Sequence, residues 1–226
     1  MKALVVVYKR FGASIIERVF LEHPPSEVRV LGTGDRSSVL SAGGWSLRNY
    51  GCRALVVVDS ESTYEDAIQG LRGDLEDLMI NRDLVMVHMA VPEVTVVLFA
   101  SPEHLAEILG VEIAREELIR AEYVPGHVLD LLIARSPRVH SRDELMQQVS
   151  GDYVCRIREH PLMREIECSL VRAMDTPIEG LLPGDVQPLY ARPAASSQLT
   201  GSPTRISPSS STSAKAPPPQ SGRMAS

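Results

Sequence analysis

Apolar residues run unbroken through positions 3–8, Ala-Leu-Val-Val-Val-Tyr, and again through 54–58, Ala-Leu-Val-Val-Val, where the run ends at Asp59. Runs that are β-branched and apolar at every position mark strands buried on both faces of a sheet. Between these runs the period changes. Ile15, Ile16, Val19 and Phe20 recur at helical spacing behind a candidate cap, Ser14. That pattern predicts a helix over 14–21, stopped by His23-Pro24-Pro25. Residues 27–31 alternate like a short strand, and Gly32-Thr33-Gly34-Asp35 reads as a loop. A helix over 37–50 follows, weakened by Gly43 and Gly44 at about 1 kcal/mol each. After the strand at 53–58, Ile68, Leu71, Leu75 and Leu78 stripe one face of a helix over 63–79. Residues 84–89 supply a fourth apolar strand.

The order β-α-β-α-β-α-β predicts an α/β fold: a small parallel, Rossmann-like sheet with flanking helices and right-handed crossovers. Ligands of such sheets sit beyond the carboxyl ends of the strands. That rule singles out 8–12, 32–36, 59–66 and 89–93 before any motif is weighed. Residues 94–100, Val-Thr-Val-Val-Leu-Phe-Ala, have strand propensity, yet Pro92-Glu93 is a good helix start. Helical patterns then cover 102–109, 115–123, 127–134, 141–149 and 162–174, with Ser141 and Glu144 spaced as a capping box. From Pro193 the composition turns to Ser, Pro, Thr, Ala and Gly, which cannot bury enough apolar surface to offset the entropy of ordering. The expected organisation is an α/β domain over 1–110, a helical extension packed on it over 111–182, and a disordered tail over 193–226.

Charge narrows the function classes. The chain carries a net charge of −6, but residues 193–226 hold Arg205, Lys215 and Arg223 and no acid. Residues 1–192 therefore carry 20 basic and 29 acidic groups, net −9. Unaided, tight binding to nucleic acid is disfavoured, because phosphate neutralisation needs a basic patch. Cys52, Cys155 and Cys168 form no CxxC pair and no disulfide framework, and read as buried or half-buried free thiols of a reducing compartment. No apolar stretch approaches the roughly 18 residues of a membrane span, and the N-terminal run is short for a signal peptide. A cytoplasmic location is expected.

The strongest chemical signal is Asp59-Ser60-Glu61, with Glu65 and Asp66 one turn on. Two carboxylates at i and i+2 just past a buried strand can converge on one hard cation, and Mg²⁺ is held by one or two carboxylates plus water. The same acids could instead cap the next helix and favour its dipole. The glycine loop at 32–36 lacks the Walker Lys-Ser ending and a full GxGxxG, so a strand-to-helix turn is expected there. His88, in an apolar strand, reads as a satisfied core histidine. No HExxH and no GxSxG occurs.

Val-Val-Val-Asp59-Ser60-Glu61 together with Val91-Pro92-Glu93-Val94-Thr95-Val96-Val97-Leu98-Phe99-Ala100 resembles the Toprim domain shared by topoisomerases, bacterial-type primases and nucleases of the overcoming-lysogenisation-defect class. More narrowly, residues 1–175 resemble small prokaryotic Toprim-like proteins encoded near mobile or defence genes. The resemblance implies a Mg²⁺-dependent phosphodiesterase or nuclease, with Asp59 and Glu61 as metal ligands, Glu93 as a further catalytic carboxylate, and a partner ATPase or defence protein. It also favours a helix for 94–100. The glutamate that ends the family's first strand aligns with Tyr8, the glycine after it with Lys9, and the second acid of the later helix with Thr95. Either Glu93 or Glu17 substitutes for the missing glutamate, or the site is degenerate and the chain is a non-catalytic module that binds a partner protein or a nucleotide.

Overall fold

The computed structural model describes residues 3–20, 28–35, 38, 39, 41, 42, 52–78 and 85–175. The expected tail at 193–226 and most of the expected helix at 37–50 lie outside them. Four strands form one parallel sheet: β1 (Ala3–Tyr8), β2 (Val28–Thr33), β3 (Arg53–Asp59) and β4 (Val85–Ala90), in the order β2-β1-β3-β4. Val5 lies opposite Val30 on one side and Leu55 on the other, and Val57 opposite His88.

The two unbroken apolar runs occupy the two central positions, which explains their pattern. Side chains alternate across a strand, so Ala3, Val5, Val7, Leu55 and Val57 enter one core. Leu4, Val6, Ala54, Val56 and Val58 enter a second core on the opposite face. The first core is the larger. It takes in helix α1 (Arg10–Phe20), a 3-10 helix (Val94–Ala100) and the helices that follow. The second core is closed by Val39, Cys52 and Leu75, the last from helix α2 (Glu65–Leu78).

Helix α1 begins at Arg10, four residues before the expected start at Ser14. The chain turns into it at once because Lys9 adopts the left-handed conformation, φ 71°. Gly32 belongs to β2 and not to a loop; a Cβ there would lie 2.8 Å from the Arg10 Cα, so α1 and β2 meet at a position only glycine fits. Asp35 then takes the Ser38 amide at 2.7 Å, as a strand-to-helix turn requires.

Residues 94–100 are helical but 3-10 in geometry, and the strand alternative is excluded. Beyond them come α3 (Pro102–Leu109), α4 (Arg115–Ala121), α5 (Pro125–Arg135), α6 (Arg142–Gln148), α7 (Gly151–Arg158) and α8 (Pro161–Asp175). Ser141 caps α6 by accepting the Glu144 amide at 3.1 Å, whereas the Glu144 carboxylate reaches the His140 amide instead of closing the box. Helix α7 was absent from the sequence-based expectation. Its eight residues are short, and its apolar stripe, Tyr153, Val154 and Ile157, is flanked by charge. Arg158 donates to the Val19 carbonyl from Nε at 2.9 Å and Nη2 at 2.6 Å, capping the end of α1. Leu129, Leu132, Ile157 and Met163 share one continuous core with the strands, so the helices past residue 110 complete the sheet's own core.

Tyr153 is the polar pin of that core. It is fully buried, stacks on His104 at 5.7 Å, and donates its hydroxyl to the Leu98 carbonyl at 2.5 Å. Tyr153→Phe leaves that carbonyl without its partner, which costs about 1–3 kcal/mol. The expected result is a lower urea midpoint with an unchanged m-value; an unchanged midpoint would show that the bond contributes nothing.

Candidate functional site

The carboxyl ends of β1, β3 and β4 converge, and each brings part of an acidic site. β3 ends in Asp59, whose carboxylate is 3% exposed. The chain leaves β3 through Ser60, whose amide donates to the Ala90 carbonyl at 2.9 Å, and Glu61, whose amide donates to the Pro92 carbonyl at 2.8 Å. Glu61 is left-handed, φ 56°. These two bonds tie the β3 turn to the segment after β4, where Glu93 begins the 3-10 helix. The Val94 amide completes the junction by donating to Asp59 Oδ1 at 3.0 Å.

β1 contributes the residue that sequence reasoning missed. Lys9 Nζ lies 3.3 Å from Asp59 Oδ2, 3.3 Å from Glu61 Oε1 and 3.5 Å from Glu93 Oε2. The three expected site residues are therefore together, and what they surround is an ammonium. The Asp59 and Glu61 oxygens can be no farther apart than twice their common distance to Nζ. Tyr8, the last residue of β1, donates its hydroxyl to Glu61 Oε1 at 3.1 Å. Its ring carries the Lys9 ammonium 5.0 Å from its centroid. A left-handed non-glycine residue costs roughly 1–2 kcal/mol; Lys9 stands where the resemblance places a glycine, and the backbone there has a glycine's conformation.

Glu93 is held from both sides. Its Oε1 accepts the Gly126 amide at 2.5 Å, at the start of α5, while Oε2 faces Lys9. A Cβ at Gly126 would meet that Oε1, so a larger residue there would make the Glu93 carboxylate shift. The Gly126 carbonyl accepts from Arg142, which pairs with Asp130 at 2.8 Å and lies 4.8 Å from the centre of the Phe11 ring. Glu17 is an exposed residue on α1 and makes none of these contacts.

Burial sets the electrostatics. Desolvation pushes the Asp59 carboxyl up to about 6, against the pull of the Val94 amide and the Lys9 charge. Lys9 is held above its ordinary value: partial burial works against its charge, but Asp59 and Glu93 outweigh it. Three carboxylates are a chemically suitable donor set for a hard cation. As arranged, they close on Lys9 Nζ, and no group of three or more His, Cys, Asp or Glu among the described residues is placed to hold a metal ion.

The other sequence candidates separate from this site. Glu65 and Asp66 lie in the first turn of α2, where carboxylates favour the helix dipole. His88 is not the satisfied core histidine expected: it is only partly buried, its Nε2 has no hydrogen-bond partner, and Nδ1 is 3.9 Å from Glu165. The cysteines are free, and two of them, Cys155 and Cys168, are exposed and not buried. No helix among the described residues is long and apolar enough to cross a membrane.

Fold and site together define an α/β protein with an acidic cluster, closed around one lysine of its own, at the carboxyl edge of a four-stranded parallel sheet. No family model matches the chain, and no curated protein is similar to it. Among solved structures it is similar to the C-terminal region of the OLD protein of Xanthomonas campestris pv. campestris, at 16% identity over 74% of this chain and 97% of that one, with a TM-score of 0.37. That level is too low to bear on the site.

Asp59 makes stability pH-dependent with a definite sign. Its folded value, about 6, lies above the ordinary 3.8. Between those values the native state holds a proton that the unfolded chain releases, so this contribution falls as pH rises from 3.8 to 6 and is lowest above that window. Asp59→Asn is expected to remove this component. Urea midpoints measured across the window for both proteins check it, and an equal decline in both would rule it out.

Proposed function

We propose that this chain is a Toprim-like module of a prokaryotic DNA-processing or defence system in which the phosphodiesterase site has become degenerate. It binds a partner protein or a nucleotide-type ligand and does not cleave phosphodiesters. The supporting observation is Lys9 Nζ, within 3.5 Å of Asp59, Glu61 and Glu93. An ammonium in contact with all three carboxylates stands where a cation would stand and offsets part of their charge, and it cannot activate water as a Lewis acid. Tyr8 reinforces the substitution, because a phenol hydrogen-bonded to Glu61 neither ligates Mg²⁺ strongly nor accepts a proton near neutral pH. The net charge of −9 over residues 1–192 adds that any nucleic acid would need a basic partner, for which an ATPase or a defence protein is the candidate.

A second reading, a Mg²⁺-dependent nuclease, keeps one observation in its favour. The Lys9 side chain is 41% exposed, so a divalent cation could displace it into solvent and take the carboxylates Asp59 and Glu61 with Glu93 assisting. The two readings separate by calorimetry and a nicking assay. The expected result is no heat with Mg²⁺ or Mn²⁺ for the wild type and no nicking of supercoiled plasmid. Lys9→Gly, at a position whose backbone already suits glycine, is expected to gain cation binding. Its affinity should fall about tenfold per pH unit below the Asp59 titration, since the ligand must be deprotonated. Wild-type nicking that needs Mg²⁺ and disappears in Asp59→Ala would establish the nuclease and end the degenerate reading.

A further inference from the structure

The sheet has a second place where the chain is built to receive something, away from the acidic site. β4 is an edge strand: it pairs with β3 and with no other strand among the described residues. A cavity of about 680 Å³ runs along it and touches five consecutive residues, 85–89. Consecutive residues of a strand point to opposite faces. A cavity that touches all five must therefore follow the strand's edge and reach around to both faces. Its walls agree. Arg72 and Leu75 of α2 close one side, and Glu165, Ser169 and Arg172 of α8 close the other. The burial pattern assigns the sides: Val85, Val87 and Met89 belong with α2, whereas Met86 joins the core that includes α8. His88 shares the α8 side with Met86 and lies 3.9 Å from Glu165.

Two features bear on what this slot could receive. The His88 side chain is only 10% exposed, yet its Nε2 has no hydrogen-bond partner. A buried polar atom without a partner is rare in a native interior and calls for an explanation. The slot also carries two arginines against one glutamate, in a chain whose net charge is −6.

We propose that the edge of β4 left unpaired by the described strands is a docking site for an extended acidic segment of a partner protein, which adds a strand beside it. Main-chain hydrogen bonds to β4 supply affinity, and side chains entering the two overhangs supply specificity. Adjacent residues of the incoming strand point to opposite faces, so a pair of neighbouring acids reaches Arg72 on one side and Arg172 on the other. A polar group on the α8 side meets His88 Nε2. A second copy of this chain is the poorer occupant, because edge-to-edge docking would bring two further arginines against one further glutamate and double the positive excess. The proposal is independent of whether the Lys9 site binds a cation.

The test uses the full chain and a fluorescein-labelled peptide, Val-Thr-Val-Asp-Glu-Val-Thr-Val, with a control in which Lys-Lys replaces Asp-Glu. Fluorescence anisotropy is expected to show the acidic peptide binding at least about tenfold more tightly than the control, the effect of one charged hydrogen bond. Exchange of the amide hydrogens of 85–89 should slow when it binds. Both arginines are exposed on helices, so R72E and R172E together should leave the fold intact and reverse the preference between the peptides. Equal affinity for both peptides, or binding that leaves the 85–89 amides unprotected, overturns the proposal. So does protection without peptide that tracks a dimer in sedimentation, which would identify a second copy as the occupant.

Discussion

The structure depends on burying β1 and β3 on both faces. Ten of their side chains enter two cores, five on each face, and are fully or nearly fully buried. Burying a side chain of this size contributes roughly 1.5–3 kcal/mol, so no other arrangement of these runs competes. That constraint fixes more than the fold. A strand buried on both faces delivers its last residue into a dry environment, and the last residue of β3 is a carboxylate. Asp59 must then be neutralised by a proton, a cation or hydrogen bonds, because an isolated buried charge is too costly to keep. The Val94 amide and the Lys9 ammonium meet that demand in part, and the raised carboxyl records the part that remains.

This ordering explains what was readable from the sequence. The strands were, because a run apolar at every position has one interpretation in a chain of this size, and β1, β3 and β4 fall within a residue or so of their expected bounds. Asp59, Glu61 and Glu93 could be picked out because carboxylates past strand ends follow from the fold rule alone. Their common partner could not. Lys9 meets them across separations of 50 to 84 residues, and nothing in its local pattern distinguishes it from a surface lysine. The one available hint was positional: it follows the first buried run directly, where such a sheet places its ligands. Helix α7 was missed for the opposite reason, since its three buried residues lie in a stripe too short to show a period and take their meaning from Leu98 and Val19 elsewhere.

His88 and Gly126 show how a bland residue gains a role only in three dimensions. The strand context placed His88 in the core, but how far an imidazole is buried and whether it is satisfied depend on what lies beyond an edge strand, and the chain's local pattern is silent on that. Gly126 sits in an ordinary Pro-Gly helix start. Its use appears only when Glu93 approaches from the other side and accepts its amide.

The link through Gly126 bears on how the acidic site works. Glu93 divides its two oxygens between Lys9 and the first turn of α5, and the Gly126 carbonyl passes the contact to Arg142, Asp130 and Phe11. A cation that displaced Lys9 would recover one oxygen of Glu93 and not the other. To take both, it would have to detach α5 and loosen the Arg142 network beneath it. The third carboxylate is thus committed to holding the helices against the strand ends. Lys9 belongs to that same structural assembly: it satisfies Asp59, keeps Glu61 and Glu93 from repelling one another, and holds the carboxyl ends of β1, β3 and β4 in place. Each of its partners is also engaged by a backbone or side-chain group of this chain: Asp59 by the Val94 amide, Glu61 by the Tyr8 hydroxyl and Glu93 by the Gly126 amide.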